Sequence, residues 1–374
     1  MINTIAPPCR LAALFALMTA VTALAEPLVI AHRGASGHRP EHTLESYRLA
    51  IEMGADFIEP DLVATRDGHL VARHEPEIGA TTDVAKRPEF ASRRRTALID
   101  GVEVTGWFTT DFTLAELKTL RAVQPHPDRS SAFDGLYEVP TLEEIIALAK
   151  DAAVARGRPI GIYPETKHPS WHCAQGLPLE PALLAALETA GWTSREAPVF
   201  IQSFEAGNLR WLRERTSVQL VQLINGGALG EDGMPAPTPV IRLASDCLLY
   251  PIETPPDLSK PGERRAKAFE EIAAYADAVG PWKRWIVGEQ TVEGVRRATP
   301  ASDFIPRAHA AGLAVHAWTF RNESQYLLAD YEGDPANEYR AFAALGVDGL
   351  FTDYPDTAVA AMQKANRNSP TNPD

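Results

Sequence analysis

The chain has 374 residues, a formal net charge of −13 at neutral pH, a 45% hydrophobic content and three cysteines. That apolar content can fill a sizeable core, and the length suits one α/β barrel domain. The acidic balance makes bulk nucleic acid and anionic membranes poor electrostatic partners, so an anionic substrate requires local cations or a metal.

Arg10 is the only charge before Glu26, and the apolar run 11–25, "LAALFALMTAVTALA", is shorter than the roughly 20 residues that span a bilayer. It ends in Ala23-Leu24-Ala25, a small-x-small cleavage pattern. Residues 1–25 therefore read as a signal peptide, and the mature chain as a periplasmic or secreted protein with no stable membrane insertion. Cys9 precedes the apolar run, where a lipoprotein cysteine would follow it. Cys173 and Cys247 remain after cleavage. They are compatible with one disulfide in an oxidising compartment, but spacing alone does not show that they meet. No C-x-x-C pair suggests a zinc or redox site.

From residue 27 onward, short apolar runs alternate with helical patterns. "PLVIAH" (27–32) is the first predicted strand, and the helix after it ends at Gly54. "DFIEPDLVAT" and "HLVARHE" follow as strands joined by the turn "RDGH". Residues 76–136 break the alternation with a polar, irregular stretch and read as an inserted lobe. A helix capped by Thr141, the strand "PIGIYPETK", a helix, "PVFIQSF", a helix and "VQLVQLI" resume it. Beyond the Pro-rich acidic stretch 226–262 come a helix, the apolar piece 278–280, a helix, "LAVHAWTF", a helix, "GLFTDYP" and a last helix, with 366–374 a disordered tail. About eight β/α units without a glycine fingerprint favour a TIM-type (β/α)8 barrel over a doubly wound sheet, with residues 26–365 as one domain.

In such a barrel the C-terminal ends of the strands share one pocket. Those ends carry His32 and Arg33, Glu59 and Asp61, His74, Glu165 and Lys167, Gln202, Trp318 and Asp353. Glu59 and Asp61, two apart on a strand, leave the same face, and their charges repel unless a proton or a cation intervenes. With Glu165 they offer an all-oxygen set suited to Ca²⁺, Mg²⁺ or Mn²⁺. Taken alone, either carboxylate also reads as a loop cap or an arginine partner. His32 and His74 both end apolar strand runs; beside a metal, one imidazole can take a proton while the other gives one. That is what splitting a phosphodiester requires, with Arg33 on the phosphoryl oxygens. Gly34 and Gly37 permit a tight loop after His32. Lys167 either holds phosphate or pairs with Glu165, and Trp318 is either an apolar wall or core. His38 and His42 read as loop or helix-start residues, Pro40-Glu41 as the start of the first covering helix, and His309 and His316 as structural. His126, His168 and His172 receive no role.

The set "AHRGASG…PEHT", "E-P-D", "DGHLVARHE", "YPETK", "QSF" and "GLFTDYPD" runs in order over residues 28–358 and resembles the glycerophosphodiester phosphodiesterases, in particular their longer exported bacterial type. The resemblance implies a TIM-type barrel that hydrolyses glycerophosphodiesters, such as glycerophosphocholine, to sn-glycerol 3-phosphate and an alcohol. It makes His32 and His74 the acid/base pair, Glu59, Asp61 and Glu165 the metal ligands, and Arg33 and Lys167 phosphate contacts. It also implies Ca²⁺ as the cofactor, with Mg²⁺ next; Gln202 and Trp318 complete the expected substrate-binding set. Glu75, where relatives often carry Asp, and the apolar "AWTF" depart from the pattern. Two rival readings are a phospholipase D-like or phosphoinositide-cleaving barrel and a non-catalytic exported glycerophosphodiester-binding protein. The first expects an apolar or basic rim, the second the loss of an imidazole or acidic ligand.

Overall fold

Leu28–His32 is a strand whose middle residues are all buried, as expected for an apolar run walled on both sides. In a computed structural model, which describes residues 26–236, 247, 249–251 and 253–368, it is the first of eight parallel barrel strands among the described residues. The second runs as Phe57–Glu59 and Asp61–Ala64, and the third as Gly161–Ile162 and Glu165–Thr166. Pro60 and Pro164 lack an N–H and interrupt the ladders, but their carbonyls keep register by accepting from the Glu165 and Gln202 amides, each at 2.9 Å. Phe200–Ser203, Gln219–Ile224, Ala278–Pro281, Ala314–Phe320 and Gly349–Thr352 follow, and the last pairs with the first. The apolar piece near 278–280 is thus the sixth barrel strand. Its own Gly280 and Pro281 hid it from a pattern reading.

Local chemistry sets the helix ends. Thr43 caps Leu44–Met53, and Gly54, at φ 103°, ends it in the left-handed region. The first covering helix therefore starts at Leu44, three residues later than the Pro40-Glu41 start expected. Thr141 and Glu144 form a reciprocal capping box on Leu142–Arg156. The final helix, Pro355–Asn368, runs three residues into the segment expected to be a tail; residues 369–374 lie outside the described residues, as does the expected signal peptide. Ile30, Tyr163, Phe200, Val221 and Phe351 fill the barrel interior. His316 belongs to that interior, its Nδ1 2.6 Å from the Tyr163 hydroxyl.

Residues 76–136 carry short 3₁₀ turns, the antiparallel pair Arg95–Ile99 and Val102–Gly106, and the helix Leu114–Leu117. Ile78, Val84, Phe90, Phe112 and Leu120 pack there against Val63 and Val71 of the barrel edge. A second hairpin, Val287–Val292 with Val295–Ala301, follows the sixth strand; neither hairpin was foreseen. Cys173 and Cys247 form a disulfide across a sequence separation of 74. Among the described residues no helix is long and apolar enough to cross a membrane.

Candidate active site

Strand register brings the chemistry to one level. His32 stands beside Glu59, Asp61 beside Glu165, and Glu165 beside Gln202. The short strand Leu70–Ala72 runs back antiparallel to Asp61–Ala64, and the Arg73 amide donates to the Asp61 carbonyl at 2.9 Å. His74, one residue on, is thereby returned to the barrel mouth. His32, Arg33, Glu59, His74, Glu165, Lys167, Gln202 and Trp318 all line one cavity of about 240 Å³. Asp61 lies just behind that wall, 1% exposed.

Glu59, Asp61 and Glu165 each offer a carboxylate oxygen, and the three atoms lie within 4.8 Å of one another. Burial, then Asp61 and Glu165, raise Glu59 well above the usual carboxylate range. Burial raises Glu165 to about 8, with Asp61 adding to the effect. Asp61 goes the other way: burial would raise it, but Lys167 and the His42 contact outweigh that and hold it well below the usual range. Asp61 Oδ1 is buried without a hydrogen-bond partner, as is Gln202 Oε1. Crowded carboxylates with an orphaned oxygen fit a divalent cation, and the all-oxygen donor set fits a hard one.

The backbone around the cluster is bent to serve it. Arg33, at φ 59°, turns its amide onto Glu59 Oε2 at 2.8 Å, and Gly34, at φ 87°, continues the turn. A Cβ at Gly34 would come within 2.4 Å of the Ser46 hydroxyl, so the helix packs too closely here for another residue. The Arg33 guanidinium pairs with Glu41 at 2.8 Å and sits 3.5 Å from Asp61. Lys167 pairs with Glu165, Nζ lying 3.0 Å from it and 3.3 Å from His74 Nε2, and also lines the cavity. Trp318 anchors its ring N–H on the Gly280 carbonyl at 2.7 Å and lines the cavity.

Each histidine is held at Nδ1 by a carboxylate. His32 meets Asp353 Oδ1 at 2.6 Å, and His74 meets Glu75 Oε1 at 3.1 Å. Burial, then Arg33, lowers both imidazoles to about 4, against the pull of those carboxylates. Asp353 is in turn fixed by Arg129 at 2.5 Å and Arg321 at 2.8 Å. Glu75 reaches His168 at 2.8 Å, and His168 reaches Asp100 at 2.6 Å. Arg129 and Asp100 both come from the segment 76–136.

Sequence reasoning therefore missed the supports. His42, read as a loop or helix-start residue, is fully buried and bridges Asp61 Oδ2 and the Tyr47 hydroxyl at 2.8 Å each. His168, given no role, is part of the His74 relay. Asp353 was placed on the rim at the end of the eighth strand but given no role; Arg129 and His168 sit in irregular Pro-rich stretches that give no positional signal. His172 lies in the helix Pro169–Ala174 with both ring nitrogens unpartnered, and has no role in the cavity.

The profile of the glycerophosphoryl diester phosphodiesterase family matches residues 32–246 and 258–357. The glycerophosphodiester phosphodiesterase GDPD6 of Arabidopsis thaliana is 38% identical over 88% of this chain and 84% of its own. The Haemophilus influenzae glycerophosphodiester phosphodiesterase is 30% identical over 90% of each chain. Among solved structures, a Silicibacter pomeroyi protein described as a glycerophosphoryl diester phosphodiesterase superposes with a TM-score of 0.57 at 21% identity, covering 91% of this chain and 94% of that one. An Oleispira antarctica phosphodiesterase in complex with the product sn-glycerol-3-phosphate gives 0.56 at 19% identity, covering 90% and 97%.

Proposed function

The chain belongs to the glycerophosphoryl diester phosphodiesterase family, and we propose that it hydrolyses glycerophosphodiesters to sn-glycerol 3-phosphate and an alcohol by metal-assisted His32/His74 acid–base catalysis. The observation that carries this reading is the convergence of both imidazoles, Arg33, Lys167 and the acidic trio on one small cavity. The product named for the Oleispira antarctica relative is the one this reaction releases.

With Nδ1–H donated to Asp353 or Glu75, the reacting nitrogen of each imidazole is Nε2. One Nε2 takes the proton from the attacking hydroxyl, either the adjacent glycerol oxygen or water, and the other protonates the departing alkoxide; where the glycerol oxygen attacks, water then opens the cyclic phosphate with the two proton transfers reversed. Arg33 and Lys167 hold the non-bridging phosphoryl oxygens, and Trp318 with Phe204 forms the apolar wall beside the substrate. Glu59, Asp61 and Glu165 would hold the divalent cation, Ca²⁺ before Mg²⁺, which when bound supplies positive charge to the phosphoryl group. The signal-like residues 1–25 and the Cys173–Cys247 disulfide support export to an oxidising compartment.

The test is an EDTA-stripped assay on glycerophosphocholine, restored separately with Ca²⁺, Mg²⁺ and Zn²⁺, alongside His32→Ala and His74→Ala. Each alanine should lower turnover by about 10²-fold or more. Full turnover after stripping would reject the metal, and near-wild-type turnover in either alanine variant would reject that histidine's role.

A further inference from the structure

The wall of the cavity that faces the acidic trio is made by the sixth strand and the hairpin behind it. In an eight-stranded barrel the sixth strand stands across from the second, so this wall is the far bank of the mouth. It carries Lys283, Arg284 and Arg296, with Arg321 from beyond the seventh strand. A reaction centre that already holds Arg33, Lys167 and a cation does not need this second bank to neutralise one phosphodiester.

Most of these cations are balanced. Lys283 pairs with the buried Glu338 at 2.8 Å, and Arg321 with Asp353. Arg284 is different. It is 3% exposed, and among the described residues its one ion pair is Nε to Glu289 Oε2 at 3.3 Å. Glu289 is already taken by Arg296, which grips both its oxygens at 2.5 and 2.9 Å. One carboxylate between two guanidiniums leaves one positive charge over, and Arg284 NH1 is buried with no hydrogen-bond partner. Burial lowers the neighbouring Lys283 to about 8 against the pull of Glu338, and Arg284 and Arg321 add to the lowering. A buried guanidinium lacking its hydrogen bonds is costly, and its retention on a cavity wall points to a ligand that completes it.

We propose that Arg284 is the anchor of a second anion subsite, so that the preferred glycerophosphodiesters carry an acidic group, carboxylate or phosphate, on the alcohol arm. This rests on the phosphodiesterase reading and deepens it by naming a substrate class. A charge-assisted hydrogen bond completing a buried guanidinium corresponds to a preference of about tenfold or more.

Two matched pairs test it. Glycerophosphoserine adds only a carboxylate to glycerophosphoethanolamine, and a terminal phosphate monoester adds only phosphate to glycerophosphoglycerol. The wild-type protein should show a kcat/KM at least about tenfold higher for the acidic member of one pair, and which pair responds identifies the anion. Arg284→Gln should bring that ratio to within about twofold, while Arg284→Lys keeps most of it. Ratios near one in the wild type, or equal losses on both members in Arg284→Gln, would overturn the subsite; the latter would mean that Arg284 touches the shared glycerophosphate. Should Arg284→Gln fail to fold, the wild-type ratios decide on their own, and ratios near one in both pairs overturn the subsite. Hydrolysis of all four without preference sinks this inference alone, whereas hydrolysis of none sinks the phosphodiesterase reading as well.

Discussion

Arg129→Met is the most informative single change outside the cavity floor. The guanidinium is 3% exposed, donates to Asp353 Oδ2 at 2.5 Å and to Glu323 Oε1 at 2.7 Å, and reaches the Ser36 carbonyl at 3.2 Å. Breaking a buried pair costs about 3–5 kcal/mol. Asp353 keeps Arg321 and His32, and Glu323 keeps the Tyr354 hydroxyl at 2.9 Å. The low end, about 3 kcal/mol, is therefore expected in urea unfolding followed by tryptophan fluorescence. Function should suffer separately. With one of its two guanidinium clamps gone, Asp353 fixes the His32 ring less tightly, and a displacement of about 1 Å at a reacting group lowers rate by up to about 10²-fold. Turnover of glycerophosphocholine should fall about 10- to 100-fold with KM little changed. In an Asp353→Asn background the same substitution should add little, because the charge that Arg129 balances is already gone. A variant with turnover within twofold of wild type and stability within about 1 kcal/mol would refute the idea that the lobe fixes His32 through this pair.

Three further outcomes are expected. Divalent cation at about 100 times its Kd should stabilise the EDTA-stripped protein by about 2.7 kcal/mol, read as a rise in Tm, and Glu165→Gln should abolish that rise; an equal rise in the variant places the ion elsewhere. Hydrogen bonds to Asp100 and Glu75 overcome the effect of burial and raise His168 from 6.5 to about 9. Its contribution is thus full below pH 6.5 and lost as pH climbs through about 9, so the stability difference between wild type and His168→Gln should shrink by up to about 3 kcal/mol from pH 6 to 9.5; a constant difference contradicts the pairing. Finally, the Cys173–Cys247 bridge closes a separation of 74 residues, for which loop entropy gives about 4 kcal/mol, so reduction should lower Tm by several degrees. An unchanged Tm after both thiols are shown to be free would contradict this.

The barrel was legible because buried parallel strands leave short apolar runs and because each carries its chemistry at its C-terminal end. His32, Glu59, Asp61, Glu165 and Gln202 could be placed on that rim by counting alone. The sixth strand was obscured because Ala278–Pro281 is only four residues long and ends in Gly280 and Pro281, which a pattern reading takes for a turn. The side chains that steady the site were harder for a different reason. His42 supports Asp61 from the start of a covering helix, His168 supports Glu75 from the loop after the third strand, and Arg129 crosses from the segment 76–136 to Asp353. Those contacts span 19 to 224 residues of sequence, and no local pattern encodes them.

The segment 76–136 sends Asp100 toward one imidazole's support and Arg129 toward the other's. The two imidazoles of the proposed proton-transfer couple thus share a single peripheral brace. Peeling that brace from the barrel edge would idle both nitrogens together while the eight-stranded wall stands intact, so enzymatic silence and global unfolding become separable events in this chain.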